Sequence, residues 1–90
     1  MKEKIVLVNQ IGYLIEQKKY VLIKEVNVGE VFSVIHIKSN KKVYEGRIFD
    51  KKYSETAGES VGWGEFSTVK EEGIYKIVAA NGEESYEFAI

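Results

Sequence analysis

An all-β sandwich is the fold class this sequence predicts, on three observations. Apolar and polar residues alternate over short stretches, as in Tyr75, Ile77 and Ala79 against Lys76. Turn-forming clusters separate those stretches, among them Asn27-Val28-Gly29-Glu30, Ser39-Asn40-Lys41-Lys42 and Asn81-Gly82. No window repeats apolar residues at the helical period for long, and Ser67–Glu72 is too short a helical stretch to count.

The strands follow in order. Ile5–Val8 is a β-branched run, broken by Asn9, Gln10 and Gly12 before Tyr13 and Leu14 restore apolar character. A strand kinked at glycine can leave one sheet for another. Asn9 and Gln10 are expected to bond backbone at that change. Tyr20–Lys24 is the second strand, after a turn at Glu16–Lys19. Val31–Lys38 is the longest and is apolar on both faces, which fits a central position or a covered outer side. After the Ser39–Lys42 turn, Val43–Glu45 and Arg47–Phe49 form the return, with Gly46 expected as a bulge or bend.

Asp50–Glu59 reads as a polar loop, and Val61–Phe66 as the next strand. Ser67–Gly73 crosses over to Ile74–Ala79. The Asn81-Gly82 pair predicts a two-residue hairpin into Glu84–Ile90, where Tyr86, Phe88 and Ile90 share one face and Ser85 and Glu87 the other. Gly73 followed two residues later by Tyr75, entering the penultimate strand, matches a tyrosine corner; otherwise Tyr75 is simply a core aromatic. About seven antiparallel strands in this order predict an immunoglobulin-like, Greek-key sandwich.

The 90 residues accommodate a single domain, 1–90. A net charge of −1 with interspersed signs gives no electrostatic footprint for nucleic acid or an anionic membrane. Cysteine is absent, so no disulfide contributes. No apolar run approaches the roughly 20 residues needed to cross a bilayer. Residues 1–15 are a poor signal peptide, so the chain reads as cytoplasmic or as a mature segment cut from something longer.

Catalytic chemistry has thin support. His36 is the one histidine, lies mid-strand between Ile35 and Ile37, and has no cysteine or second histidine with which to build a metal site, so it is expected as a half-buried strand residue. Glu55, Glu59, Glu65, Glu71 and Glu72 lack the cleft a carboxylate pair needs, and Ser54, Ser60, Ser67 and Ser85 lack a partner base. Gly58, Gly62 and Gly64 are not followed by the lysine and helix of a phosphate loop. No catalytic residue, cofactor or metal site is expected. Aromatic residues remain: Trp63 falls on the outer face if Phe66 is buried, and Tyr13, Tyr44 and Tyr53 are candidate surface aromatics. Trp63 is then a sugar-stacking platform or an interface anchor; a one-residue slip in register would instead make it the core tryptophan.

Val8-Asn9-Gln10-Ile11-Gly12-Tyr13 resembles the opening motif of the N-terminal immunoglobulin-like domain of family-nine glycoside hydrolases, the cellulase group. Val43-Tyr44-Glu45-Gly46, Ala57-Gly58-Glu59, Glu65-Phe66-Ser67, Glu72-Gly73-Ile74-Tyr75 and Ser85-Tyr86-Glu87-Phe88 resemble later segments of that domain, in order. Ile15 stands where the family often has proline, Glu72 replaces the proline before Gly73, and Ile74 the usual threonine.

The resemblance implies a non-catalytic module that packs against and supports a catalytic domain of the same polypeptide. The family's catalytic acid and water-activating aspartates lie on a helical barrel that follows the sandwich, so none carries over to this sequence. It further implies an extracellular protein that meets polysaccharide only indirectly. A carbohydrate-binding module using Trp63 and surface tyrosines is the competing expectation, and it requires a flat aromatic row.

Overall fold

The computed structural model describes residues 5–9, 11–55 and 57–90. Eight strands form two sheets: β1 (Val6–Leu7), β2 (Tyr20–Ile23), β3 (Val31–His36), β4 (Lys41–Arg47), β5 (Asp50–Ser54), β6 (Glu59–Glu65), β7 (Ile74–Ala79) and β8 (Phe88–Ala89). One sheet runs β1-β2-β6-β5 and the other β4-β3-β7-β8, with every pairing antiparallel. The chain changes sheets between β2 and β3, between β4 and β5, and between β6 and β7. This is the immunoglobulin-like sandwich the alternation predicts.

Between the sheets lie Val6, Val21, Ile23, Phe32, Val34, Phe66, Tyr75, Ile77 and Phe88, with Ile48 and Val26 closing the sides. Phe32 on β3 is the hinge of this packing. A Cβ placed on Gly64 of the opposite sheet would stand within 2.4 Å of Phe32 Cε1, and one on Gly46 of β4 within 2.7 Å of Cζ. Both glycines leave the volume that the ring occupies. Gly46 is therefore not a bulge, since it pairs in register with Phe32. The irregularity lies two to three residues earlier in β4, where Val34 faces Tyr44 and Ile35 faces Lys42, leaving Val43 as the extra residue.

Three other expectations are corrected. Asp50–Ser54 is a strand rather than a loop, paired along β6 from Asp50 opposite Trp63 to Ser54 opposite Glu59. It is an edge strand with four exposed residues, so its ladder holds it in place without an apolar pattern. The turn after β7 spans three residues, Ala80–Gly82, and is closed by Ala79 N–H to the Glu83 carbonyl at 2.8 Å. Gly82 takes its left-handed position at φ 87°, as such loops require.

The final segment also slips phase. Ser85 is 6% exposed and Tyr86 55% exposed, the reverse of strict alternation. The Ser85 hydroxyl accepts the Ile77 N–H at 2.9 Å and donates to the Tyr86 carbonyl at 2.8 Å, taking the place of ladder partners. Strand geometry resumes only at Phe88.

At the β6–β7 crossover the Tyr75 hydroxyl donates to the Glu71 carbonyl at 2.7 Å, the geometry of a tyrosine corner. Its ring is buried against Phe88 and His36. Tyr75→Phe keeps the ring and removes one hydrogen bond. Thermal unfolding of that variant is expected to show a loss of about 1 kcal/mol.

Candidate docking face

The stretch between β1 and β2 shapes one side of the molecule. The Asn9 side chain accepts the Ile11 N–H at 3.1 Å, and the Asn9 carbonyl accepts the Gly12 N–H at 3.0 Å. Gly12 then turns the chain at φ 116°, a conformation that disfavours a side chain. A Cβ there would also stand 3.1 Å from the Ala89 carbonyl oxygen. Beyond the turn, Tyr13 N–H donates to that same Ala89 carbonyl at 2.9 Å. The chain thus leaves the β1 sheet and meets β8 of the other. Gln10 lies outside the described residues.

Tyr13 is a fastening rather than a free surface aromatic. Its hydroxyl donates to the Tyr20 carbonyl at 2.9 Å and accepts the Asn9 N–H at 2.9 Å. Its ring meets Phe66 and Phe88 edge-on, at 5.2 and 5.4 Å. Burial pushes its phenol above the ordinary range, and the Asn9 hydrogen bond opposes this less strongly. A second fastening escapes sequence reading altogether. Lys19 is fully buried, and its ammonium donates to the carbonyls of Ile15 at 2.6 Å, Gln17 at 3.2 Å and Ser67 at 3.4 Å. Burial lowers its pKa, as does nearby Lys70, while Glu16 acts in the opposite sense. A lysine in a polar turn gives no signal that it folds inward to cap three carbonyls.

With its backbone so held, this loop turns its apolar side chains outward. Ile11 is 97% exposed and Leu14 75% exposed. Next to them the outer face of the first sheet carries an apolar row set by register. Leu7 pairs with Leu22, and Leu22 with Trp63, on the side opposite the buried Val6, Ile23 and Gly62. A groove of about 560 Å³ opens there, lined by this row, Tyr20, Tyr13 and Ile11. The outer face of a sandwich is ordinarily polar, so a row of this kind marks a contact surface.

Trp63 points outward because Gly62 and Gly64 take the inward places: a Cβ on either would strike Val26, Ile48 or Phe32. It meets Tyr20 edge-on at 5.9 Å, donates from Nε1 to the Lys52 carbonyl at 3.3 Å, and has the Lys52 ammonium 4.6 Å above its ring. Tyr53 is 63% exposed but is one residue out of phase with Lys52, on the other side of its strand. Trp63 and Tyr13 thus border one groove while Tyr53 lies off it, and Trp63 and Tyr20 make no flat row. His36 bonds Ser39 across a turn, Nδ1 to Oγ 2.8 Å. Among the described residues no group of three or more His, Cys, Asp or Glu could hold a metal ion.

The fold and this face define an immunoglobulin-type sandwich with an outward apolar surface. The family described as the cellulase N-terminal Ig-like domain matches residues 2–84, and the chain belongs to that family. It is 42% identical over 88 residues to a cellodextrinase of Butyrivibrio fibrisolvens, a match covering 97% of this chain and 15% of that protein. Among solved structures it is similar to the glycoside hydrolase family 9 endoglucanase J30, at 29% identity and a TM-score of 0.75. That likeness covers 87% of this chain and 14% of the other. A Bacteroides ovatus GH9 protein gives 26% identity and a TM-score of 0.77, over 96% and 15%. The chain spans about one-seventh of the length of these relatives.

Proposed function

We propose that this domain is a non-catalytic accessory module, which packs against and supports the catalytic domain of a secreted, glucan-hydrolysing polypeptide. The observation that carries the reading is the outward apolar surface, from Leu14 and Ile11 to Trp63, on a chain that matches about 15% of its cellodextrinase relative. A surface of that kind is stabilised by a partner that covers it. The module contributes no reacting group; its contribution is to hold the neighbouring domain in its active arrangement.

Deleting the matching segment from the cellodextrinase relative is the test. Cellodextrin hydrolysis and melting temperature are both expected to fall, and unchanged values for both would count against support. A sugar-binding role has less behind it, because the Trp63 ring is covered by Lys52 and set at an angle to Tyr20. Saturable quenching of Trp63 fluorescence by cello-oligosaccharides would favour it instead.

A further inference from the structure

We propose that the catalytic domain seats on one particular face: the groove between the Ile11 loop and the Leu7–Leu22–Trp63 row on the outside of the first sheet. This rests on the accessory reading above and adds where the contact lies and what chemistry fits it. The occupant is the polypeptide joined after Ile90, presenting an apolar side chain or short apolar segment to the groove.

Three features select this face. The first is where a following chain starts. Ala89 is bonded to Tyr13, and a small hollow beside the groove is lined by Ile11, Leu14 and Ala89. A polypeptide continuing from Ile90 therefore begins next to Ile11 and Leu14, the most exposed large apolar side chains among the described residues. The second is length: the relatives place roughly six times as much chain outside the segment that matches this domain as within it, enough for a large covering partner.

The third is construction. The Ile11 loop does not collapse onto the groove, because Asn9, Tyr13 and Lys19 fix its backbone from within. A surface held open in this way is preorganised for contact, which reduces the ordering cost of binding. Phe49, 49% exposed, stands beside the row, its ring 6.4 Å from Tyr20 and its N–H bonded to the Trp63 carbonyl. Val43, by contrast, lies at the bulge of β4 on the second sheet.

The test is a chimera in which this chain replaces the matching segment of the Butyrivibrio fibrisolvens cellodextrinase. Leu22→Glu places a charge in the centre of the row, Ile11→Asp places one at its edge, and Val43→Glu serves as the distant control. Each variant is first melted as the isolated 90-residue domain. Ile11, at 97% exposure, carries the test if Leu22→Glu fails to fold.

Leu22→Glu or Ile11→Asp is expected to lower cellodextrin hydrolysis at least about tenfold and to split the melt into two transitions, since an unpaired charge buried in a contact costs more than the roughly 1.4 kcal/mol of a tenfold change. Val43→Glu should match the parent chimera. If all three behave alike while deletion of the whole domain inactivates the enzyme, the groove is not the contact and the accessory reading stands. If deletion changes nothing, both fail. Self-association of the isolated domain that Leu22→Glu abolishes, with no effect in the chimera, would assign the groove to a second copy and overturn the proposal.

Discussion

Replacing Phe32 by alanine lowers the stability of this domain by about 3–5 kcal/mol, measured by thermal or denaturant unfolding. The ring is fully buried at the meeting of both sheets, in the space that Gly46 and Gly64 vacate. Neither glycine can lend a side chain to fill the resulting hole. A domain of this size has about 5–15 kcal/mol in total, so this one change consumes a large share of it.

Gly64→Ala works from the other side. Its Cβ would press on a ring atom at 2.4 Å, and the expected loss is about 1–3 kcal/mol. The pair is expected to be coupled. With Phe32→Leu in place, Gly64→Ala should cost less than it does alone, by about 0.5–3 kcal/mol in a double-mutant cycle. Strict additivity would show that the ring and the glycine do not share one volume.

Tyr13→Ala is expected to cost about 2–4 kcal/mol. It removes a half-buried ring from between Phe66 and Phe88, and leaves the Tyr20 carbonyl and Asn9 N–H without their partner. Tyr13→Phe should retain most of the ring's contribution and lose about 1–2 kcal/mol for the hydroxyl. Alkaline pH gives a second measurement. The Tyr13 pKa is raised by burial, so folding favours the neutral phenol. Its contribution is complete below the unfolded tyrosine value of about 10 and is lost as pH rises through the higher folded value. Burial raises Tyr75 as well, with Glu71 adding to it. Stability of the wild-type domain should therefore fall above pH about 10, and Tyr13→Phe should flatten that decline. An equally steep decline in the variant would remove Tyr13 from the account.

The elements legible in the sequence were those whose burial writes a period into it. β2, β3 and β7 alternate in burial against the core and lie within the expected stretches Tyr20–Lys24, Val31–Lys38 and Ile74–Ala79, while β6 (Glu59–Glu65) overlaps the expected Val61–Phe66. β5 was not legible because Asp50–Ser54 is held by backbone bonds at an edge, where no apolar face is needed. Phe88 was read correctly as inward, but Ser85 and Tyr86 before it were read in reverse, because the Ser85 hydroxyl replaces a ladder partner, which no periodicity reports.

The docking face was legible only in fragments. The spacing of Trp63 to Phe66 left both an outward and a core position open, and the neighbours of the flanking glycines decide between them. Its alignment with Leu22 and Leu7 depends on pairing between strands far apart in sequence, and composition carries no record of that. Lys19 was invisible for a different cause. Its sequence neighbours are polar, and only the closure of the loop surrounds it.

The Gly12 turn has a consequence for the order in which the molecule can be made. Tyr13 completes its backbone bonding only with Ala89, so a residue near the start waits for one near the end. Domains generally fold as units during synthesis, those nearest the amino terminus first. Here the first strand can pair with β2 early, but the Tyr13 N–H has its Ala89 partner only once the last strand has been made. The apolar surface around Ile11 is thus completed by the two ends of the chain together, and not by the stretch that carries it alone.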